Sequence, residues 1–197
     1  MRNKSCPVLD GTAYFWGMNM YFVALVAPDE INQKILKWKL WMKEKFGCEV
    51  ALRSPAHITL LPPFWMKPEL ENEFIDSINS FSDKQQGFDI QLRNFNSFKP
   101  KVIFVDIVKD VTLDNIHKNL QYHLLSTEKF PVKKDERPFH PHITIATRDL
   151  YKRAFYEAMD YFKTKEYEAS WRTEGISLLR HNKKNWDVIF TSQFKNI

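Results

Sequence analysis

His57-Ile58-Thr59-Leu60 and His142-Ile143-Thr144-Ile145 are one four-residue pattern written twice, 85 positions apart in a chain of 197 residues. Each copy sits in a short apolar run. The first runs from Ala56 to Leu61 and is expected to stop at Pro62-Pro63; the second runs from Pro141 to Thr147. Both read as strands. Residues two apart on a strand share a face. The pattern therefore sets an imidazole beside a hydroxyl on one face, with isoleucine turned to the core behind, and does so twice.

The flanking elements repeat with the motif. Tyr21 to Ala27 is a continuously apolar strand stopped by Pro28. Ile31, Ile35, Trp38, Met42 and Phe46 mark one face of a helix opened by Asp29-Glu30 and closed by Gly47. Pro68, Leu70, Phe74, Ile78 and Phe81 mark a second helix, with proline in its first turn. Phe88 to Phe98 and Val102 to Val108 form a hairpin around Lys99-Pro100-Lys101.

The second half follows the same order. Leu113, Ile116, Leu120 and Leu124 give a helix, and the 141–147 strand follows. Leu150, Ala154, Ala158 and Phe162 give a helix begun near Asp149. Two last strands, Tyr167 to Leu179 and Trp186 to Phe194, flank the turn Asn182-Lys183-Lys184-Asn185. The expected class is α+β, built from two β-α-β-α-β modules in sequence. Such modules would form a bilobal, pseudo-two-fold antiparallel sheet or barrel, with a central cleft and helices outside. Residues 1–19 read as a loose extension and 20–197 as a single bilobal domain.

Composition narrows the chemistry. The chain holds 29 Lys+Arg against 24 Asp+Glu, and 44% of its residues are hydrophobic, as in a soluble globular protein. Its five glycines include no phosphate-cradling spacing and no Gly-Lys-Ser/Thr, which argues against Walker-type NTPases and classical dinucleotide binders. Cys6 and Cys48 form no Cys-x-x-Cys pair. No apolar run of signal-peptide or membrane-spanning length is present. A cytoplasmic monomer without cofactor is expected.

Two imidazoles flanking one site suit proton transfer near neutral pH, one accepting while the other donates. Two threonine hydroxyls beside them can bind the non-bridging oxygens of a phosphate. The residues thus point to metal-independent phosphoryl transfer. His140-Pro141-His142 offers two ligands to a metal, but no third is suitably spaced. Thr144 stands where a histidine-triad hydrolase needs a further His.

The two motifs, with Leu61-Pro62-Pro63-Phe64 after the first and Phe139-His140-Pro141 before the second, resemble the two-histidine (2H) phosphoesterase superfamily. The similarity is to the bacterial 2′-5′ RNA ligase and cyclic phosphodiesterase branch, from about Met20 to the C-terminus. It implies two pseudo-symmetric modules around a water-filled cleft. It also implies hydrolysis of 2′,3′-cyclic phosphates, or joining and cleavage of 2′-5′ linkages, in RNA ends or small nucleotides. His57 and His142 would be the catalytic acid–base pair, and Thr59 and Thr144 the phosphate ligands. Family members often carry Arg five residues after the second motif's His. Thr147 stands there, and Arg148, one later, is expected on the opposite strand face.

Arg53 and Arg137 occupy similar places before the two motifs and are candidate phosphate contacts, with a solvated loop charge as the other reading; Phe64 is a candidate base-stacking residue, with core packing as the other reading. Arg172, Arg180, Lys183 and Lys184 read first as charged strand and turn positions, with an electrostatic track for RNA as the other reading. His117, His123 and His181 are expected to be surface or capped residues. The rival readings are a non-catalytic module binding a nucleotide or RNA end, and a hydrolase of a small non-RNA cyclic phosphate such as a cyclic ADP-ribose derivative.

Overall fold

The computed structural model describes residues 17–195; residues 1–16 of the expected N-terminal extension lie outside them. The strands are β1 (Asn19–Val26), β2 (His57–Met66), β3 (Phe88–Phe98), β4 (Val102–Ile107), β5 (His142–Ala146), β6 (Glu168–Thr173), β7 (Gly175–His181) and β8 (Trp186–Gln193). The helices are α1 (Asp29–Phe46), α2 (Glu71–Ser82), α3 (Val111–Ser126) and α4 (Lys152–Phe162). Local chemistry sets their ends. Gly47 adopts φ 73 and returns its N–H to the Lys43 carbonyl, closing α1. The Asp110 carboxylate accepts the Leu113 N–H at 2.8 Å and opens α3.

The strands form two four-stranded antiparallel sheets, ordered β2-β1-β7-β8 and β5-β4-β3-β6. The α+β class and its pseudo-symmetry are as read from the sequence, because β1-α1-β2 and β4-α3-β5 play matching parts. The division into halves is not. β3 belongs to the second sheet, held beside β4 by the hairpin between them, while β7 and β8 return to complete the first. The segment expected as one strand from Tyr167 to Leu179 breaks at Glu174 as the chain crosses between sheets. Gly175 permits that crossing, since a Cβ there would lie 2.5 Å from the Ser192 carbonyl oxygen.

β2 also runs past Pro62-Pro63 to Met66, beyond the stop expected at the prolines. It is the outer strand of its sheet, so a missing N–H can face away from the ladder. A bulge between the Tyr21–Phe64 and Val23–Leu61 pairs absorbs an extra residue at the prolines.

Two helices bind the lobes to each other. α1 packs against β5 of the other sheet, and α3 packs against β2. Trp41 of α1 stacks on Tyr161 of α4 at 4.1 Å, and Trp38 meets Phe95 of β3 edge-on. One continuous apolar core runs through both sheets. The outer strands β2 and β5, which carry the repeated motif, lie next to each other.

Candidate active site

Alternation along β2 and β5 places the motif residues as the period of two requires. Ile58 and Ile143 are fully buried and Leu60 and Ile145 nearly so, while both His and both Thr are partly exposed. Pairing adds an aromatic wall to each imidazole. The Phe22 ring of β1 lies 4.8 Å from the His57 ring, and the Phe104 ring of β4 lies 4.8 Å from the His142 ring.

The cleft has two compartments. One, of 410 Å³, is lined by Arg53, His57, Thr59, Thr144, Arg148 and Trp186 among others. The second, of 460 Å³, is lined by Thr59, Phe98, His117, Arg137, His140 and His142 among others. Thr59 faces both. The structure thus gathers six of the seven sequence candidates around one cleft. The exception is Phe64, which is 8% exposed and packs against Tyr21 and Phe74. The bulge at Pro62-Pro63 carries it out of the cleft and into the core.

The two imidazoles are wired alike. Nδ1 of His57 lies 2.8 Å from the Pro55 carbonyl, and Nδ1 of His142 lies 2.7 Å from the His140 carbonyl. A carbonyl only accepts, so Nδ1 holds the hydrogen in each ring. The Nε2 lone pairs are therefore available for proton transfer; neither atom has a hydrogen-bond partner among the described residues.

Their electrostatic settings differ. Burial lowers the His57 pKa to about 4, opposed by the bond to Pro55 and reinforced by the charges of Lys39 and His142. Burial also lowers His142, where the His140 carbonyl and Asp106 pull the other way. Lys39 is the residue sequence reading missed. It lies on the buried face of α1, and Nζ donates to the Ser54 carbonyl at 3.0 Å, bracing the approach to His57. Burial brings its pKa to about 8. The signal was present: Lys39 continues the Ile31, Ile35 series at intervals of four.

A folded-state pKa of about 4 against an ordinary value near 6.5 makes the unfolded chain the stronger proton binder between those pH values. Stability therefore falls as pH drops through that window. For a partly exposed ring the loss is about 2 kcal/mol by pH 4.5. Urea unfolding of wild type and His57→Gln at pH 7.5 and 4.5 checks this: the variant should lose about 2 kcal/mol less, and equal losses would contradict it.

Several neighbours depart from expectation. Strand β5 ends at Ala146, so Thr147 and Arg148 lie beyond its alternation. Arg148, at φ 22, lines the His57 compartment instead of turning away. His117 is half-buried and hydrogen-bonded to Gln121 at 2.7 Å, as a capped residue, and it stacks on Phe139 at 3.8 Å beside the His142 compartment. His181 lines the other compartment, its ring 4.9 Å from Trp186. His123 ties α3 to Ser77 of α2.

Asp149 does not open α4, whose N-cap position is Tyr151. Its carboxylate accepts the Glu49 and Val50 N–H groups at 2.6 and 2.9 Å, fastening the 3₁₀ turn Val50–Arg53 to the other lobe. That strap fixes the turn bearing Arg53 beside the loop bearing Arg148. Arg53 has no ion-pair partner among the described residues, whereas the Arg137 fork is engaged by Asp135 at 2.8 and 2.6 Å. Among the described residues no group of three or more His, Cys, Asp or Glu side chains is placed to hold a metal ion. None of their helices is long and apolar enough to cross a membrane.

The sequence matches the family model of the 2′-5′ RNA ligase superfamily over residues 27–185. No curated protein matches the chain by sequence. Among solved structures, Escherichia coli LigT in complex with 3′-AMP is similar at 17% identity and a TM-score of 0.66, covering 91% of this chain and 99% of that one. TT0787 of Thermus thermophilus is similar at 18% identity and a TM-score of 0.64, covering 89% and 97%. A further structure described as a phosphoesterase is 16% identical, with a TM-score of 0.60 and 90% and 99% coverage. At these identities the likeness is one of fold.

Proposed function

The chain belongs to the 2′-5′ RNA ligase superfamily, and from that premise we propose that it is a two-histidine phosphoesterase that hydrolyses 2′,3′-cyclic phosphates, or cleaves and joins 2′-5′ linkages, at RNA ends or on nucleotides. The carrying observation is the pair of imidazoles in one cleft. Each donates Nδ1–H to the carbonyl two residues before it, with Thr59 between the two compartments.

In this reading the phosphate rests against the Thr59 and Thr144 hydroxyls, which donate to its non-bridging oxygens. One histidine takes the proton of the attacking water through Nε2 as the water oxygen bonds to phosphorus. The other histidine gives a proton to the ribose oxygen that leaves. In joining, a 5′-hydroxyl takes the place of the water, loses its proton to the base and bonds to phosphorus as the ribose 3′-oxygen leaves with the acid's proton; cleavage of the 2′-5′ linkage runs that step backwards. The opposite charges near the rings favour His57 as the base in hydrolysis, with the Lys39 cation on its side, and His142 as the acid, with Asp106 on its side. A bound phosphate anion raises both pKa values, so that the acid takes up its proton from solvent. No step calls on a metal.

Lys39→Met should shift the acid limb of the kcat/KM profile upward by roughly half to one pH unit, because a cation that depresses His57 is gone. An unmoved limb would remove Lys39 from this account. A panel of 2′,3′-cyclic mononucleotides, short oligoribonucleotides ending in that group, and cyclic ADP-ribose phosphates tests the function itself. Turnover of the ribonucleotides supports the proposal. Tight binding of every compound without turnover would favour a binding module.

A further inference from the structure

The compartment beside His57 continues beyond Arg53. That arginine also lines a neighbouring concavity of 290 Å³ that reaches Lys183 and Lys184 at the tip of the β7–β8 hairpin. Lys43 on its wall is committed to Glu49 at 2.9 Å. Arg148, Arg53, Lys183 and Lys184 have no ion-pair partner among the described residues. Uncommitted cations thus line both concavities, from the loop after Thr144, through the shared Arg53, to the hairpin tip.

The tip is built to hold its lysines in place. The Asn182 side-chain oxygen accepts the Lys184 and Asn185 N–H groups at 3.0 and 2.6 Å, and its amide donates to Asp187 at 2.8 Å. Lys183 adopts φ 75, a left-handed conformation set by this turn. Immediately below this tip His181 pairs with Trp186, and both line the His57 compartment. Trp186 is itself propped edge-on by Phe22 at 4.7 Å.

An aromatic face followed by spaced cations is the chemistry that holds a single-stranded nucleic acid, with bases stacking and the backbone tracking positive charge. A mononucleotide, with one phosphate at Thr59 and Thr144, would leave Lys183 and Lys184 without a role. We propose that the β7–β8 hairpin is a nucleic-acid subsite: the substrate is the end of a single-stranded oligoribonucleotide whose next phosphates lie along Arg53, Lys183 and Lys184, with a base against Trp186. This rests on the proposed seat of the reacting phosphate at Thr59 and Thr144.

The test compares binding of a tetraribonucleotide ending in a 3′-phosphate with that of the matching 3′-mononucleotide. The proteins are wild type and Lys183→Asn with Lys184→Ala, asparagine being chosen because it tolerates positive φ. Wild type should hold the tetranucleotide at least ~10-fold more tightly, and the double variant should lose most of that advantage while binding the mononucleotide as before. The salt dependence of tetranucleotide binding should fall by about 1.4 in log–log slope, for two single-strand phosphate contacts. Equal affinity of wild type for the two ligands, or an unchanged slope in the variant, would overturn the subsite. Turnover of a 2′,3′-cyclic mononucleotide by the same proteins reads the catalytic proposal separately. Its absence alongside an intact tetranucleotide preference would sink catalysis and leave the subsite standing.

Discussion

His57→Ala and His142→Ala are each expected to lower turnover of a 2′,3′-cyclic nucleotide by about 10²–10⁴-fold, the usual worth of a positioned general acid or base. The reason lies in how the rings are held. With Nδ1–H fixed on a backbone carbonyl, each ring presents only Nε2 for proton transfer, and alanine leaves nothing in its place. The double variant should be little worse than the poorer single one, since the two act in one proton transfer sequence and their losses do not add. Both rings are partly exposed at the cleft, so the folded state should survive with its thermal midpoint within a few degrees of wild type. Full activity in either single variant would remove that histidine from the mechanism.

Thr59→Val and Thr144→Val test the other half of the motif and are expected to cost about 10–10³-fold each in kcat/KM. Valine keeps the branched shape and strand preference of threonine while deleting the hydroxyl that would meet a developing phosphate charge. Thr59 should be the more costly, because it faces both compartments whereas Thr144 faces only the one containing His57. Losses confined to KM, with kcat intact, would make the threonines binding contacts of ground state and transition state alike. No loss in either variant would refute the phosphate seat.

Much of this architecture is legible in the sequence because it rests on local period. The His-x-Thr alternation, the α1 face from Ile31 to Phe46 and the Gly47 stop each depend on residues within one element, and the structure places them accordingly. What the halves concealed was pairing between elements. The tight turn at Lys99-Pro100-Lys101 already required β3 to lie beside β4, and so to leave the first lobe. Gly175 marked the point where the chain crosses back. Arg148 was misplaced because strict alternation was carried past a strand end, and Phe64, beyond the bulge at the prolines, takes the core position that was one of its two readings. Lys39 and Asp149 act through contacts made across the fold, on a loop carbonyl and on the opposite lobe's N–H groups. Spacing puts Lys39 on the buried face of α1 but does not name the carbonyl it meets, and nothing in spacing pairs Asp149 with the opposite lobe.

The depressed histidines also sharpen the pH expectation. Near-neutral imidazoles would place the optimum around pH 7, but burial pulls His57 to about 4 and lowers His142 as well. For the free enzyme both limbs then move to the acid side. The most direct measurement of the acid–base pair is therefore the kcat/KM profile of chelator-treated enzyme on a 2′,3′-cyclic nucleotide. The expected profile is a metal-free bell whose maximum lies below the ordinary histidine value near 6.5, with one limb lost in His57→Gln. A requirement for added metal, or a profile without two limbs, would contradict it.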